Sequence, residues 1–257
     1  MANILFKKSY LFKDLKEVNF KDLWNSTGLF TTMWLYGKPA KILFVKNHIK
    51  NLIRSAKIYK IYKKDIKKNI YKLIKKNLNK SINYNHLLRI AINDKIISVS
   101  LRKKKTLNTN FKLKLVNYKR IDPEYKNLKY KKILNHLSRV NISEVDIALH
   151  KNKKILETGT ANILFVRENK IYSPIKNFYK GITFKFFEKE INKIIKKDIF
   201  INTLNGYDEI ILIGTGKGVI SVQSIENLNW QRKSLRTYRL LSKIYNRAVT
   251  KCPLYYS

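Results

Sequence analysis

The chain has 257 residues, 44% of them hydrophobic and 12% aromatic, which is enough apolar material for one large core or two modest domains and excludes a disordered or fibrous chain. Lys and Arg number 55 against 17 Asp and Glu, a formal net charge of +38 that taken alone points to a polyanion partner. The lysines run from Lys7 to Lys251 with no basic tail, interleaved with Ile, Asn and Tyr, and no nucleic-acid module accompanies them. Compositional bias with solvated lysines is therefore the preferred reading, and a nucleic-acid partner is not expected.

Cys252 is the only cysteine, so neither a disulfide framework nor a cysteine metal site is expected. The first eight residues carry no long apolar segment, and no stretch reaches the roughly 20 apolar residues of a membrane span. A reducing, cytoplasmic setting is the expectation.

In chain order, Gly28 to Val45 reads as two strands around the turn Gly37-Lys38-Pro39, with Ile42–Val45 as the second. Asn47 is placed to cap a helix whose Ile49, Leu52, Ile53, Ala56 and Tyr59 share one face, and a second helix covers Asp65–Asn77. Leu87–Ile92 and Ile96–Leu101 form a hairpin around Asn93-Asp94, and Phe111–Val116 alternates as an edge strand. Tyr118–Tyr125, containing Pro123, is the best linker. It divides an α+β chain with a small N-terminal domain (1–118) from a C-terminal domain (119–257). Beyond it, Lys131–Val140 has helical spacing. Strands follow at Asp146–His150, Lys154–Leu156, Ile163–Val166 and Lys170–Tyr172, then a helix over Phe184–Lys197. Strands at Glu209–Ile213 and Val219–Val222 flank Gly214-Thr215-Gly216-Lys217-Gly218, and a helix over Leu235–Val249 closes the chain.

Single motifs are weak. The glycine turn follows a strand and its amides could cradle a phosphate, yet it has neither Walker spacing nor a dinucleotide fingerprint. Gly181-Ile182-Thr183 opens a helix, a geometry that suits an anion. His48, His86, His136 and His150 show no pair at metal-ligand spacing, so no metal is expected. Glu157 read alone is a surface acid ending a hairpin.

The combination is specific. Glu157, then Asn162 five residues on, then Ile163-Leu164-Phe165, Ser173-Pro174 and Gly181-Ile182-Thr183 occur in that order. This run resembles the class IV, fold-type IV pyridoxal-phosphate enzymes, which include D-amino acid and branched-chain aminotransferases and aminodeoxychorismate lyase. Gly28–Thr32 with Tyr36–Pro39 resembles the family's first hairpin, and His48–Ala56 its first helix. The likeness spans roughly residues 25–225. It implies a small N-terminal α/β sandwich and a larger β-barrel-like C-terminal domain with helices that binds pyridoxal 5'-phosphate.

Carried over position by position, the resemblance assigns Lys129 as the lysine that bonds to the cofactor, with Lys126 as the alternative. Glu157 would pair with the pyridine nitrogen, and Asn162 belongs to the same run. Ile182, Thr183, Thr215 and Gly216 would hold the phosphate. Asn51 stands where the family has a phosphate-binding arginine; Arg54, one helical turn on, is the candidate substitute. Phe184 replaces the arginine that usually follows Gly-Ile-Thr, and the hairpin after Arg89 lacks the usual glycine-rich loop. Phe30-Thr31-Thr32 resembles the lyases, with Thr31 and Thr32 as candidate substrate contacts. The resemblance thus implies a 4-amino-4-deoxychorismate lyase that makes 4-aminobenzoate and pyruvate for folate synthesis. The alternatives are a class IV aminotransferase acting on D- or branched-chain amino acids, or a non-catalytic lysine-rich nucleic-acid-binding protein. A small-molecule substrate and a homodimer without membrane attachment are implied as well.

Overall fold

A computed structural model describes residues 4–191 and 193–255. Its elements run β1 (Ile4–Leu11), β2 (Glu17–Val18), β3 (Leu29–Gly37), β4 (Lys41–Ile42), α1 (Val45–Ile58), α2 (Ile66–Asn77), β5 (Tyr84–Ile92), β6 (Ile96–Lys103) and β7 (Phe111–Asn117). There follow α3 (Lys131–Leu137), β8 (Val145–Lys151), β9 (Lys154–Thr158), β10 (Asn162–Arg167), β11 (Lys170–Ser173) and α4 (Ile182–Glu190). The chain ends with β12 (Ile194–Lys196), β13 (Ile199–Phe200), a 3-10 turn, β14 (Glu209–Gly214), β15 (Gly218–Ile225) and α5 (Arg236–Thr250). Among the described residues no helix is long and apolar enough to cross a membrane.

The chain forms two compact units. One comprises the residues up to Lys105, Tyr125–Lys131 and the C-terminal segment from Cys252; the other comprises Thr106–Glu124 and Lys132–Lys251. The segment read as a linker is thus shared: Tyr118–Glu124 belongs to the second unit and Tyr125–Lys131 to the first.

The first unit is a six-stranded sheet in the order β2-β1-β6-β5-β3-β4. Successive strand residues alternate between faces, so Met33, Leu35, Leu88, Ile90, Ile92 and Val99 turn to one side. They pack there with Ile49 and Leu52 of α1 and Ile66, Ile70 and Leu73 of α2. The helices follow their apolar periodicity. α1 begins earlier than Asn47 would allow: Phe44 is its N-cap, in the left-handed region at φ 54° without a side-chain cap. Leu43 and Phe44 therefore form a turn, and the second strand shrinks to Lys41–Ile42. β1 is an element the alternation did not reveal, because Lys7 and Lys8 interrupt its apolar run.

Thr31 lies on the helix side of this sheet, buried, with Oγ1 2.8 Å from Nδ1 of His48. Burial, assisted by the charge of Lys126, lowers the His48 pKa from 6.5 to about 3. The folded state therefore keeps this ring neutral where the unfolded chain takes a proton below 6.5. Stability is complete above that pH and falls as pH drops toward 3, by up to about 1.4 kcal/mol per pH unit. Urea unfolding at pH 4.5 should show about 2–3 kcal/mol less stability than at pH 7 from this group, and His48→Gln should flatten the dependence.

The second unit is a nine-stranded sheet in the order β12-β11-β10-β14-β15-β7-β8-β9-β13. β7 pairs in parallel with both β8 and β15, which is why Phe111–Asn117 joins this unit rather than the edge of the first sheet. The sheet wraps. β9 and β10 stand five places apart in strand order, yet only residues 159–161 join them, and the Thr158 amide donates to Ala161 O at 3.1 Å across the turn. The resulting barrel-like core holds Phe111, Phe165, Ile210, Leu212, Val222 and Trp230. Trp230 satisfies its indole N–H on Tyr207 O at 3.0 Å.

α4 is shorter than its spacing predicts. Ile191 is extended (φ −119°, ψ 140°), and β12 pairs in parallel with β11 through Ile171↔Ile194, so the β-branched pair Ile194-Ile195 is recruited to a sheet edge. Position 192, inside the expected helix, lies outside the described residues.

Candidate active site

Glu157 lies near the end of β9, its side chain among the most buried carboxylates in the second unit. Arg120 donates to it from Nε at 2.6 Å and from Nη2 at 3.2 Å, a two-point pairing of the planar guanidinium with the carboxylate. Arg120 also donates to Pro123 O at 2.6 Å, and the Tyr179 amide donates to Glu157 Oε2 at 3.2 Å. Glu157 thus ties together three segments distant in sequence. A surface acid at a hairpin end would do nothing of the kind.

Asn162 opens β10 and acts on the loop before α4. Its Nδ2 donates to Tyr179 O at 2.6 Å, and its Oδ1 accepts the Gly181 amide at 3.0 Å. Any side chain at Gly181 would collide with that oxygen, 2.8 Å from an added Cβ. Gly181 is the N-cap of α4, so Ile182 and Thr183 form its first turn, where amides have no intrahelical acceptor. Thr183 is buried, and its Oγ1 has no partner. Thr215 and Gly216 occupy the turn from β14 to β15, and Gly214 packs against Ala161 of the β9–β10 turn at 3.3 Å from an added Cβ.

One polar network braces both turns. Asp146, fully buried on β8, accepts Thr160 Oγ1 at 2.7 Å, Thr158 Oγ1 at 2.9 Å and the Ile147 amide at 2.8 Å. From the glycine turn, Lys217 brings its Nζ to 3.7 Å from Asp146 and 4.3 Å from the Phe111 ring centroid. Its side chain is only 8% exposed. Burial lowers the Lys217 pKa, with the nearby Asp146 opposing the shift. Lys217→Met should cost about 1–3 kcal/mol in urea unfolding, because Asp146 loses a counter-charge but keeps its three hydrogen bonds. The double variant with Asp146→Asn should lose less than the sum of the single changes.

The first unit carries a second polar and aromatic cluster. Residues 126–128 pair with the start of β3: Phe30 N donates to Lys126 O, Leu128 N donates to Gly28 O, and Leu29 bridges Asn127. Lys126 Nζ sits 5.0 Å from the Phe30 ring centroid, and its charge is felt at His48. Lys129 is exposed, three residues on, with its amide tied to Asn127 Oδ1 at 3.1 Å. Trp24, Phe30 and Tyr130 pack edge and face with centroids 4.9–5.8 Å apart. Arg89 lies 3.8 Å from the Trp24 ring centroid and pairs with Asp22 at 3.3 Å, while its buried Nε has no partner. Burial lowers the Arg89 pKa to about 10, with Asp22 opposing.

Thr32 is paired with Arg89 in the sheet register, so it faces this cluster, whereas neighbouring Thr31 turns to His48 on the other side. Arg54 lies on the exposed face of α1, away from the buried stripe of His48, Ile49, Leu52, Ser55 and Ala56. Arg120, Arg89, Trp24 and Tyr130 were not singled out by the motifs. A compositional signal existed, however. Only ten of the 55 basic residues are arginines, and arginine is the residue required where a fixed, planar donor must be buried.

The sequence profile of the family described as amino-transferase class IV matches residues 28–225. The chain belongs to that family. It is a family of pyridoxal-phosphate enzymes, and the motif run that opened the comparison lies inside the matched span. A branched-chain aminotransferase from Thermoproteus uzoniensis superposes with a TM-score of 0.75 at 16% identity, covering 98% of this chain and 96% of its own. A PLP-bound hypothetical aminotransferase from Mycobacterium tuberculosis gives 0.71 at 12% identity, covering 95% and 99%. A candidate 4-amino-4-deoxychorismate lyase from Legionella pneumophila gives 0.70 at 17% identity, covering 86% and 91%. Among curated proteins no significant sequence match is found. These likenesses establish the fold-type IV architecture of this class IV chain.

The second unit's residues fit the family's cofactor. An orphaned hydroxyl on Thr183, first-turn amides of α4 and a glycine turn offer donors suited to a phosphate. Glu157, a buried carboxylate held in place by Arg120 and the Tyr179 amide, is the kind of acceptor that a ring N–H requires.

Proposed function

We propose that this class IV enzyme binds pyridoxal 5'-phosphate and is a 4-amino-4-deoxychorismate lyase, releasing pyruvate and 4-aminobenzoate. The observation that carries the reading is the cluster around Lys126. Three aromatic rings and a guanidinium with a free buried N–H surround one face of β3. Flat walls and an arginine suit a planar ring that bears a carboxylate. A small aliphatic amino acid would leave most of that aromatic surface unused.

When bound, the cofactor supplies an electron sink for the carbon that bears the substrate amine. The roles of the chain's own residues follow from their settings. Lys126 is assigned in preference to Lys129 as the residue that carries the cofactor and moves the substrate proton, because it is half-buried against Phe30 while Lys129 is exposed. Glu157, fixed by Arg120 and Tyr179 N–H, holds the ring nitrogen. Ile182, Thr183, Thr215 and Gly216 take the phosphate, and Asn162 keeps the approach to α4 in place. Arg89 orients the substrate carboxylate, and Thr32 lies beside it. Arg54, exposed on the outer face of α1, has no part in this arrangement.

The deciding assay supplies aminodeoxychorismate to the loaded enzyme and follows 4-aminobenzoate by fluorescence and pyruvate by a coupled dehydrogenase. Equimolar formation of the two supports the lyase. Turnover only with an amino donor and a keto acid would make the chain an aminotransferase instead.

A further inference from the structure

The second unit contains another buried hydroxyl without a partner, outside the family motifs, on a ring that packs against α4 and the end of the glycine turn. Tyr245, on α5, is 4% exposed, and its Oη makes no hydrogen bond. The placement of α5 is fixed by Glu209 of β14, which accepts the Thr237 amide at 2.8 Å and the Tyr238 amide at 2.9 Å. From there the Tyr245 ring stacks on Phe187 of α4 with centroids 6.5 Å apart. Its edge touches the end of the glycine turn, Cε1 lying 3.4 Å from a Cβ added at Gly218.

Phe187 is four residues after Thr183 and so shares its face of α4. Tyr245 therefore stands over the helix face that carries the orphaned Thr183 hydroxyl and against the turn that holds Thr215 and Gly216. Two buried hydroxyls lacking partners, on α4 and on the ring packed against it, are costly to leave unsatisfied and useful to an anion. A phenylalanine would fill the same apolar space between Phe187 and Gly218 without that cost. Burial also raises the Tyr245 pKa, so the group stays a protonated donor.

We propose that the Tyr245 hydroxyl is a further hydrogen-bond donor to the phosphate held at the N-terminus of α4. The inference rests on the cofactor assignment made above. It makes the C-terminal helix part of the phosphate site, beyond the Gly-Ile-Thr and Gly-Thr-Gly motifs.

The test compares the full-length wild type with Tyr245→Phe, reading thermal unfolding and equilibrium binding with pyridoxal phosphate, pyridoxal or inorganic phosphate, and sodium chloride as the ionic-strength control. Without ligand, Tyr245→Phe should be as stable as wild type or more so, since it loses only an unsatisfied hydroxyl. Its affinity for pyridoxal phosphate should fall about tenfold or more while its affinity for pyridoxal is unchanged. Equal affinity of both proteins for pyridoxal phosphate overturns the proposal. Parallel losses for pyridoxal phosphate and pyridoxal also overturn it, because that pattern belongs to ring packing.

A wild type that binds no pyridoxal phosphate removes the cofactor reading alone, provided phosphate stabilises it more than Tyr245→Phe. If phosphate stabilises both proteins equally, Tyr245 is not an anion ligand. Should Tyr245→Phe not fold, Tyr245→Met gives the second reading: its affinity for pyridoxal phosphate should fall about tenfold or more with its affinity for pyridoxal unchanged, and an unchanged affinity for pyridoxal phosphate overturns the proposal.

Discussion

Arg120→Met lowers the unfolding free energy by about 3–5 kcal/mol, the largest stability loss expected from any single change near the site. The reason is the asymmetry of a buried ion pair. Assembling Arg120 and Glu157 gains little over an apolar pair, but removing one partner strands the other in a dry environment. Glu157 would lose its two-point guanidinium, while the amide donor from Tyr179 stays. The loss should appear in the urea midpoint with an unchanged slope. It should shrink at low pH, where the stranded carboxylate can take a proton. The double change Arg120→Met with Glu157→Gln should recover most of the stability, because no charge then remains buried. A loss below about 1 kcal/mol for the single change would mean that water reaches this carboxylate in solution.

The second large effect is on chemistry. Lys126→Ala should abolish the borohydride-reducible link between protein and pyridoxal phosphate and reduce turnover by about a thousandfold or more. Lys129→Ala should leave both within a factor of two or three. Peptide mass analysis after reduction identifies the modified lysine directly, without reliance on activity. A phosphopyridoxyl group found on Lys129 would reverse the assignment. The physical distinction is burial. Lys126 is held by backbone pairing to β3 and lies over Phe30, so its ammonium occupies a fixed, partly dry position. Lys129 is exposed, and an exposed lysine samples many rotamers.

All five α-helices among the described residues and most of the strands were legible as periodicity. α2 begins at Ile66 after Asp65, and the β5–β6 hairpin closes with Asn93 Oδ1 accepting the Lys95 and Ile96 amides, as its Asn-Asp turn predicts. Apart from β1, whose lysines hide its apolar run, the larger errors fall where a long-range partner overrides local preference. Ile194-Ile195 reads as helix until β11 offers a parallel edge, and Phe111–Asn117 reads as an edge strand until β8 and β15 enclose it. Neither partner is visible in a local window.

The candidate site residues divide along the same line. Glu157, Asn162, Gly181-Ile182-Thr183 and the Gly214–Gly218 turn could be found from sequence, because each motif sets a local backbone geometry that only certain residues allow. The ordered motifs, through their resemblance to the class IV family, therefore pointed to the family that the profile match over residues 28–225 shows. The partner of Glu157, the different burial of Lys126 and Lys129, and the separation of Thr31 from Thr32 depended on the tertiary structure. Arg120 meets Glu157 across 37 residues of sequence. The two lysines differ only in which one the β3 pairing buries, and adjacent threonines on a strand face opposite sides whatever their likeness. Local sequence sets conformation, while burial and pairing, which select the chemistry, come from segments that only the folded chain brings together.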